Sequence, residues 1–177
     1  MKRLLIVALS LAFAAGLSAQ SSTTFYPPLA GQPVYGEIFV DDTSGGSDDI
    51  TLTTGSTYYP FITATAGESQ GVTIDVADAT GDSIKANTTG EYQILLTASF
   101  DATVNTTYHC YVFVNGTIDT HIGFFRKIGA SSDVGSASAS GVFNVQSGQK
   151  VQFKCTASAD TKVIDFWHAN LSIFLIK

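Results

Sequence analysis

Alternation of apolar and other residues with a period of two constrains this chain more than any other feature of its sequence. Tyr92, Ile94, Leu96, Ala98 and Phe100 form one apolar stripe. Side chains of a β-strand point alternately to the two faces of its sheet, so a stripe of this period lies on one face. The segment therefore predicts a strand with one face in a hydrophobic core.

The last strand of the chain departs from this pattern. Leu171, Ile173 and Leu175 point to one face, whereas Phe174 and Ile176 point to the other. A strand that is apolar on both faces must be covered on both, by a second sheet or by another subunit. We therefore expect this strand to contribute to a core and also to an assembly surface.

Strands recur along the rest of the chain at the spacing of about 8 to 12 residues that is typical of sandwiches and barrels. The predicted strands are Val34–Val40, Ile50–Thr53, Tyr58–Thr63, Gly71–Val76, Glu91–Phe100, Tyr108–Val114, Thr120–Ile128, Ser138–Val145, Lys150–Ser158 and Leu171–Lys177. Asn115-Gly116 predicts a tight hairpin, because both residues tolerate positive φ. No segment after the N-terminal region shows a sustained helical period, so we predict one all-β domain.

The N-terminus has the three parts of an export signal. Lys2 and Arg3 precede an apolar run that extends to Leu17, and Leu17-Ser18-Ala19 forms a small-residue cleavage site. The run is shorter than the ~20 residues that a transmembrane helix needs. We therefore predict a signal peptide over residues 1–19 and a secreted, extracellular protein, with the periplasm as the alternative.

The remaining chain is acidic. Loss of the two basic signal residues leaves seven basic residues against 15 acidic ones, a formal charge of −8. Phosphate neutralisation requires clustered Lys and Arg, so we expect no nucleic-acid partner. No later apolar run is long enough to span a membrane. Residues 20–33, rich in Ser, Thr and Pro, predict an extended lead-in to a domain over residues 34–177.

Two cysteines, Cys110 and Cys155, each lie in the middle of a predicted strand. Disulfides persist in exported proteins, and a bridge requires the two strands to be neighbours in one sheet. The alternative is two buried free thiols, which pack as small apolar side chains. Metal binding is not expected, because the two cysteines lack the Cys-x-x-Cys spacing of metal sites.

Several short segments resemble one known family in the positions of their glycines and apolar residues. They are Tyr35-Gly36-Glu37-Ile38, Gly90-Glu91-Tyr92, Ser99-Phe100, Val112-Phe113-Val114-Asn115-Gly116, Ser138–Val145, Gly148-x-x-Val151 and Asn170-Leu171-Ser172-Ile173. Together they resemble the globular head of complement C1q and the wider tumour-necrosis-factor-like jelly rolls. The first segment is more similar to bacterial and phage versions of this head than to animal ones.

The resemblance implies a ten-strand jelly-roll sandwich that assembles as a homotrimer and recognises ligands or caps a fibre. It also implies that the strands of Cys110 and Cys155 are neighbours, which favours the disulfide. The predicted function is a secreted, non-catalytic recognition or structural module. Its expected partners are copies of itself and an unidentified surface ligand, protein or glycan. The first alternative is a structural subunit of a surface appendage or phage-derived fibre.

The second alternative is an exported serine esterase. Gly81-Asp82-Ser83-Ile84 resembles the nucleophile block of the GDSL-type lipases and esterases, and Asp165-Phe166-Trp167-His168 resembles their Asp-x-x-His block. The chemistry needs Ser83, His168 and Asp165 in hydrogen-bonded sequence. That family is a helix-covered parallel fold, whereas this chain predicts strands throughout. We therefore predict no enzyme and interpret Gly81-Asp82 as a turn.

Asp41, Asp42, Asp48 and Asp49 flank a Gly-Gly loop and offer the carboxylate oxygens that calcium prefers. The loop lacks the EF-hand order of Asp, Asn and Gly, so an acidic surface loop is the ordinary interpretation. Some heads of the resembled family bind calcium. We therefore expect no cofactor, with calcium as the open alternative.

Two further sets of residues have ordinary structural interpretations. His109 and His121 lie on successive predicted strands and can approach each other, but no third metal ligand is evident. Aromatic residues on the strands can line a sugar-binding face, although core and interface positions are more common for such residues. These aromatic residues are Tyr108, Tyr111, Phe113, Phe124, Phe125 and Trp167.

Overall fold

The computed structural model describes residues 31–42, 49–76, 80–130 and 133–177. The predicted signal peptide over residues 1–19, most of the predicted lead-in and Asp48 lie outside the described residues. Within the described ranges no helix has the length and hydropathy needed to cross a membrane. The strands of this part of the chain are β1 Tyr35–Asp41, β2 Asp49–Leu52, β3 Tyr59–Pro60, β4 Thr65–Gln70, β5 Val72–Asp75, β6 Ser83–Ala86, β7 Gly90–Ala102, β8 Thr106–Val114, β9 Thr117–Ile128, β10 Gly135–Val145, β11 Lys150–Ala157 and β12 Lys162–Leu175.

The strands form two antiparallel sheets that enclose one hydrophobic core. Sheet A has the strand order β10-β7-β12-β1-β4, with β2 paired to β12, and sheet B has the order β5-β6-β11-β8-β9, with β3 paired to β11. The predicted two-sheet jelly roll is confirmed. The implied ten strands correspond to the two five-stranded paths, and the short strands β2 and β3 are additions to them.

The apolar stripe from Tyr92 to Phe100 lies in the core, as predicted. Tyr92, Ile94, Leu96 and Phe100 on β7 are fully buried. The Phe100 ring contacts Phe124 of sheet B at a centroid distance of 6.2 Å. Aromatic contacts of this kind join the two sheets and add to the stabilisation that apolar burial provides.

Strand β12 begins at Lys162 rather than at the predicted Leu171. A bulge interrupts its period-two alternation, so the sequence does not show the first half as part of the same strand. Ile164 and Phe166 face the core, and so do Ala169 and Leu171. The register of β12 against β7 shifts between Phe166 and His168. The extra residue at the bulge shifts the inward-facing positions from even to odd residue numbers. The alternation of the second half of the strand therefore does not extend into the first half.

Strands β4 and β6 were not predicted from the sequence. β4 is a polar strand at the edge of sheet A, and β6 has only four residues. Neither pattern separates a strand from a loop, because strand propensity depends strongly on the neighbouring strands. The predicted hairpin is confirmed: Val114 pairs with Thr117, and Asn115 and Gly116 have φ of 49° and 81°.

Candidate functional site

The outer face of sheet A is the face that does not pack against sheet B, and it carries the second apolar side of the closing strand. On β12 Leu171 and Ile173 are buried in the core, whereas Phe174 on the outer face is 42% exposed. Ile176, directly after the strand, is 56% exposed. The prediction that this strand is apolar on both faces is confirmed, and in the single chain its second face is uncovered.

The register places apolar side chains from other strands in the same row as Phe174: Tyr35 is its direct neighbour, and Val142 lies one strand further, beyond the polar Gln93. Tyr35 on β1 pairs with Phe174, and Val142 on β10 pairs with Gln93, the other partner of Phe174. The Tyr35 and Phe174 rings stack at a centroid distance of 6.4 Å, and Val142 is 59% exposed. We refer to Tyr35, Val142, Phe174 and Ile176 as the apolar band.

At the other end of this outer face is a hollow of about 770 Å³, lined by small and polar side chains together with Phe39. We refer to it as the polar hollow. Its lining includes the small side chains of Ser99 on β7 and of Ser136 and Ser138 on the edge strand β10. At the rim, Asn170 Nδ2 donates a hydrogen bond of 3.0 Å to Glu37 Oε2. The small side chains leave room on this end of the face, whereas the apolar band protrudes at the other end.

His168 also lies at the rim of the polar hollow, and its partner is Asp41. His168 Nδ1 is 3.0 Å from Asp41 Oδ1, and both side chains are more than half exposed. Exposed ion pairs contribute little to stability, typically about 0–1 kcal/mol. The pair therefore orients two polar groups at the rim without fixing the fold.

The structure does not bring the three residues of the esterase hypothesis together. Ser83 lies on β6 of sheet B, whereas Asp165 and His168 lie on β12 of sheet A. His168 lines the outer face of its sheet and contacts Asp41. Ser83 Oγ is buried and has no hydrogen-bond partner among the described residues. The hydrogen-bonded sequence of nucleophile, base and acid is therefore not formed.

The sequence around Ser83 has a structural role. Gly81 has a φ of +109°, and an added Cβ would lie 2.3 Å from Pro60 Cβ. The buried Asp82 accepts a hydrogen bond from the Ala64 N–H at 2.7 Å. Positive φ and the close approach both favour glycine, and a buried carboxylate needs such a donor. The interpretation of Gly81-Asp82 as a turn is consistent with this geometry.

The calcium candidates are only partly described, since Asp48 lies outside the described residues. Asp41 contacts His168, Asp42 is buried with its N–H bonded to the Trp167 carbonyl at 2.9 Å, and Asp49 opens β2 opposite Asp165. No group of three or more potential ligands in the described ranges is placed to hold a metal ion. Calcium binding stays a prediction.

The histidines that the sequence placed on successive strands have separate partners. His109 lies against the Phe125 ring at a centroid distance of 5.7 Å. His121 Nδ1 is 3.2 Å from Asp119 Oδ1, and the His121 side chain is almost fully exposed. Each imidazole therefore has its own local contact on the surface.

The disulfide that the resemblance implied is present. Cys110 on β8 and Cys155 on β11 are register partners in sheet B and are joined by a disulfide. Both side chains are buried. The bridge therefore links two neighbouring strands from the core side of the sheet.

The aromatic residues that were candidates for a sugar-binding face lie in three places. Tyr108 and Phe124 are in the core, whereas Tyr111, Phe113 and Phe125 alternate with core residues and lie on the outer face of sheet B. Trp167 lies at the bulge of β12.

Sequence reasoning missed Tyr58, whose ring contacts Tyr111 and Phe113 at 6.1 and 5.2 Å. Burial, and secondarily Tyr111, raise the pKa of Tyr58 above its usual value. No local sequence pattern marks Tyr58, because its contacts are distant along the chain.

Comparison with known proteins supports the fold. The structure of Eiger TNF from S. frugiperda matches with a TM-score of 0.56 and 9% identity, over 82% of this chain and 93% of that chain. Murine APRIL at pH 5.0 matches with a TM-score of 0.48 and 16% identity, over 80% of this chain and 99% of that chain. No family model and no curated protein sequence matches. The similarity to Eiger TNF shows that this chain has a TNF-like jelly-roll fold.

Proposed function

We propose that this chain is a secreted, non-catalytic recognition or structural module that acts as a homotrimeric jelly-roll head. The observation that carries the proposal is the apolar band on the outer face of sheet A. Burial of apolar surface contributes about 25 cal/mol per Å². The band, which Gln93 interrupts between Phe174 and Val142, places four partly or well exposed apolar side chains at one end of the face. A second copy of the chain is the occupant that we propose for this face.

The shape of the face supports contact between different parts of two copies. The apolar band protrudes at one end, and small serine side chains line the polar hollow at the other. When one patch of each copy contacts a different patch of the next copy, the assembly closes into a ring if the rotation between successive copies permits. We infer three copies in the assembly from the resemblance to C1q and TNF-like heads.

Light scattering coupled to size exclusion tests this assembly. The wild-type head should have the mass of three chains, and Val142→Asp should have the mass of one, because a charge would be buried without a partner. Val104→Asp is the matched control, since Val104 is also exposed but lies in the turn between β7 and β8. Circular dichroism verifies that each variant is folded. A wild-type mass of one chain at micromolar concentration would contradict the proposal.

The structural alternative makes a different prediction for the same exported protein. A subunit of an appendage or fibre should form filaments, whereas a recognition head should form discrete particles in negative-stain electron microscopy. Export itself is tested by N-terminal sequencing of protein from the medium, and we expect the chain to begin at Gln20. A chain that retains Lys2 and Arg3 would contradict cleavage of the signal.

Calcium binding is a separate proposal, which rests on the carboxylates of Asp41, Asp42, Asp48 and Asp49. A ligand that binds only the folded state raises the midpoint of thermal unfolding. The midpoint should therefore be higher in calcium than in EDTA, and Asp49→Asn should reduce the difference. Equal midpoints in calcium and EDTA would contradict the proposal.

A further inference from the structure

A cleft of about 300 Å³ opens on the outer face of sheet B, on the other side of the sandwich from the apolar band. This volume is at the lower end of the range of about 300–1,000 Å³ in which proteins bind small molecules. The residues that line it are Ser56, Tyr58, His109, Thr156, Ala157 and Ser158. The assembly proposed above would leave this face of each copy in solvent.

Two aromatic side chains contribute to the walls of the cleft, and a third extends the aromatic surface. Tyr58 is held by its edge contacts with Tyr111 and Phe113. His109 lies against Phe125, which is 72% exposed, the largest exposed fraction among the large apolar side chains of the described residues. An exposed ring of this kind gains from contact with a ligand that has an apolar face.

Thr156, one of the residues that line the cleft, has a buried hydroxyl without a partner among the described residues. Thr156 is only 5% exposed, and its Oγ1 has no hydrogen-bond partner among the described residues. Thr156 pairs in register with His109. The Oγ1 atom has almost no solvent-accessible surface in this structure, so a ligand group that donates to it or accepts from it reaches it only when the Thr156 side chain rotates toward the cleft. A buried hydroxyl that has lost water and gained no partner is unfavourable, which favours that rotation when a ligand is present.

The polar groups at the mouth of the cleft are also hydroxyls. Ser158 Oγ accepts a hydrogen bond from the Thr107 N–H at 3.2 Å and keeps its own proton available for donation. Ser56 is held in a turn with a φ of +64°. The cleft therefore combines aromatic walls with several uncharged hydrogen-bonding groups.

The disulfide stabilises the strands that carry this cleft. Cys155 directly precedes Thr156, and Cys110 directly follows His109. The bridge joins the two strands on the core side of the sheet, beneath the paired residues of the cleft. A binding surface that is already held in place loses less conformational entropy when a ligand binds.

We propose that this cleft binds a neutral saccharide, with a pyranose ring against the aromatic walls and a sugar hydroxyl hydrogen-bonded to Thr156. The six lining residues include no carboxylate, lysine or arginine; the Lys154 ammonium is outside the lining and lies over the Phe113 ring at 5.0 Å from its centroid. A purely apolar ligand would leave the Thr156 hydroxyl unpartnered. The formal charge of −8 after signal cleavage further disfavours acidic sugars. A pyranose presents both an apolar C–H face and hydroxyl edges.

This inference rests on the recognition role proposed above, but each copy of the chain contains the whole cleft. Binding can therefore be measured on the isolated head by NMR titration with the methyl glycosides of glucose, galactose, mannose and fucose. We expect at least one to shift amide signals around Thr156 and His109. Glucuronate should bind more weakly than that glycoside.

Two variants test the contacts. Thr156→Val should raise the Kd about two- to tenfold, as expected for loss of one hydrogen bond. It should leave the thermal midpoint unchanged or higher, because the hydroxyl has no partner to lose; a structural hydroxyl would lower it. Phe125→Ala should raise the Kd by a similar factor through loss of ring contact. Val142→Asp, on the other sheet, should leave the Kd unchanged even where it dissociates the oligomer.

Four results would overturn the proposal. They are no signal shifts with any of the four glycosides, shifts confined to sheet A, a Kd that neither Thr156→Val nor Phe125→Ala changes, and tighter binding of glucuronate than of the neutral sugars. A monomeric wild-type head that still binds a glycoside at Thr156 would contradict only the proposed assembly.

Discussion

Reduction of the Cys110–Cys155 disulfide should lower the free energy of unfolding by about 4 kcal/mol. The bridge closes a loop with a sequence separation of 45 residues. In the chain-entropy model, loops of about 15 and about 100 residues correspond to roughly 3 and 4.7 kcal/mol at 25 °C, and the loop here lies between them. Both sulfurs are buried, so the reduced thiols should keep their packing in the core. The loss therefore comes mainly from the greater freedom of the unfolded chain.

Urea unfolding of the oxidised protein and of the fully reduced protein measures this difference. Reduction should lower the midpoint and raise the m-value, because the unfolded chain without the bridge exposes more surface. Cys110→Ala/Cys155→Ala, compared with wild type under reducing conditions, isolates the packing contribution of the sulfurs from that of the bridge. Equal unfolding free energies for oxidised and reduced wild type would refute the reasoning.

Three further predictions concern the stability of the sandwich. Gly81→Ala should lower the free energy of unfolding by about 2 kcal/mol or more, because positive φ is unfavourable for alanine and the new Cβ would meet a proline atom at 2.3 Å. Gly116→Ala, with positive φ but open space, should lose less in the same urea experiment, and equal losses would contradict the role of the close approach. Ser83→Ala should leave the free energy of unfolding unchanged or raise it by up to about 1 kcal/mol. Esterase assays should give background turnover for wild type and for this variant. An activity of the wild type that the variant loses would support the hydrolase hypothesis. Burial raises the pKa values of Tyr92 and Tyr108 above 10.0 despite opposing hydrogen bonds. Their contribution to stability should therefore be complete below the unfolded pKa of about 10 and should be lost as the pH rises through the folded pKa values. Urea midpoints measured at increasing pH check this, and a Tyr92→Phe/Tyr108→Phe variant with an equally steep alkaline decline would count against it.

Much of the fold is predictable from the sequence because its signals are local. The stripe from Tyr92 to Phe100 and the Asn115-Gly116 turn each depend on backbone geometry within a few residues. The start of β12 is not predictable in this way, since the bulge before His168 changes the inward parity. Its position depends on how β12 pairs with β7, which is a long-range contact.

The candidate sites likewise divide into features that local sequence patterns predict and features that depend on long-range contacts. The exposed side of the closing strand follows from the alternation of Ile173 and Phe174, and the structure confirms it. The short esterase-like motifs do not indicate that their residues are close in space, because the two-sheet topology places Ser83 and His168 on different sheets. The cleft around Thr156 has no sequence signal at all, because Tyr58 and His109 meet there from distant segments.

The sequence by itself determined that this chain forms strands, that its last strand is apolar on both faces and where its tightest hairpin turns. These properties follow from side-chain alternation and from the φ preferences of single residues. Only the tertiary structure decided which strands are neighbours, whether the two cysteines meet and which aromatic rings share a surface. Strand pairing joins residues far apart in the chain, and their proximity is set by the packing of the whole sandwich rather than by any local pattern.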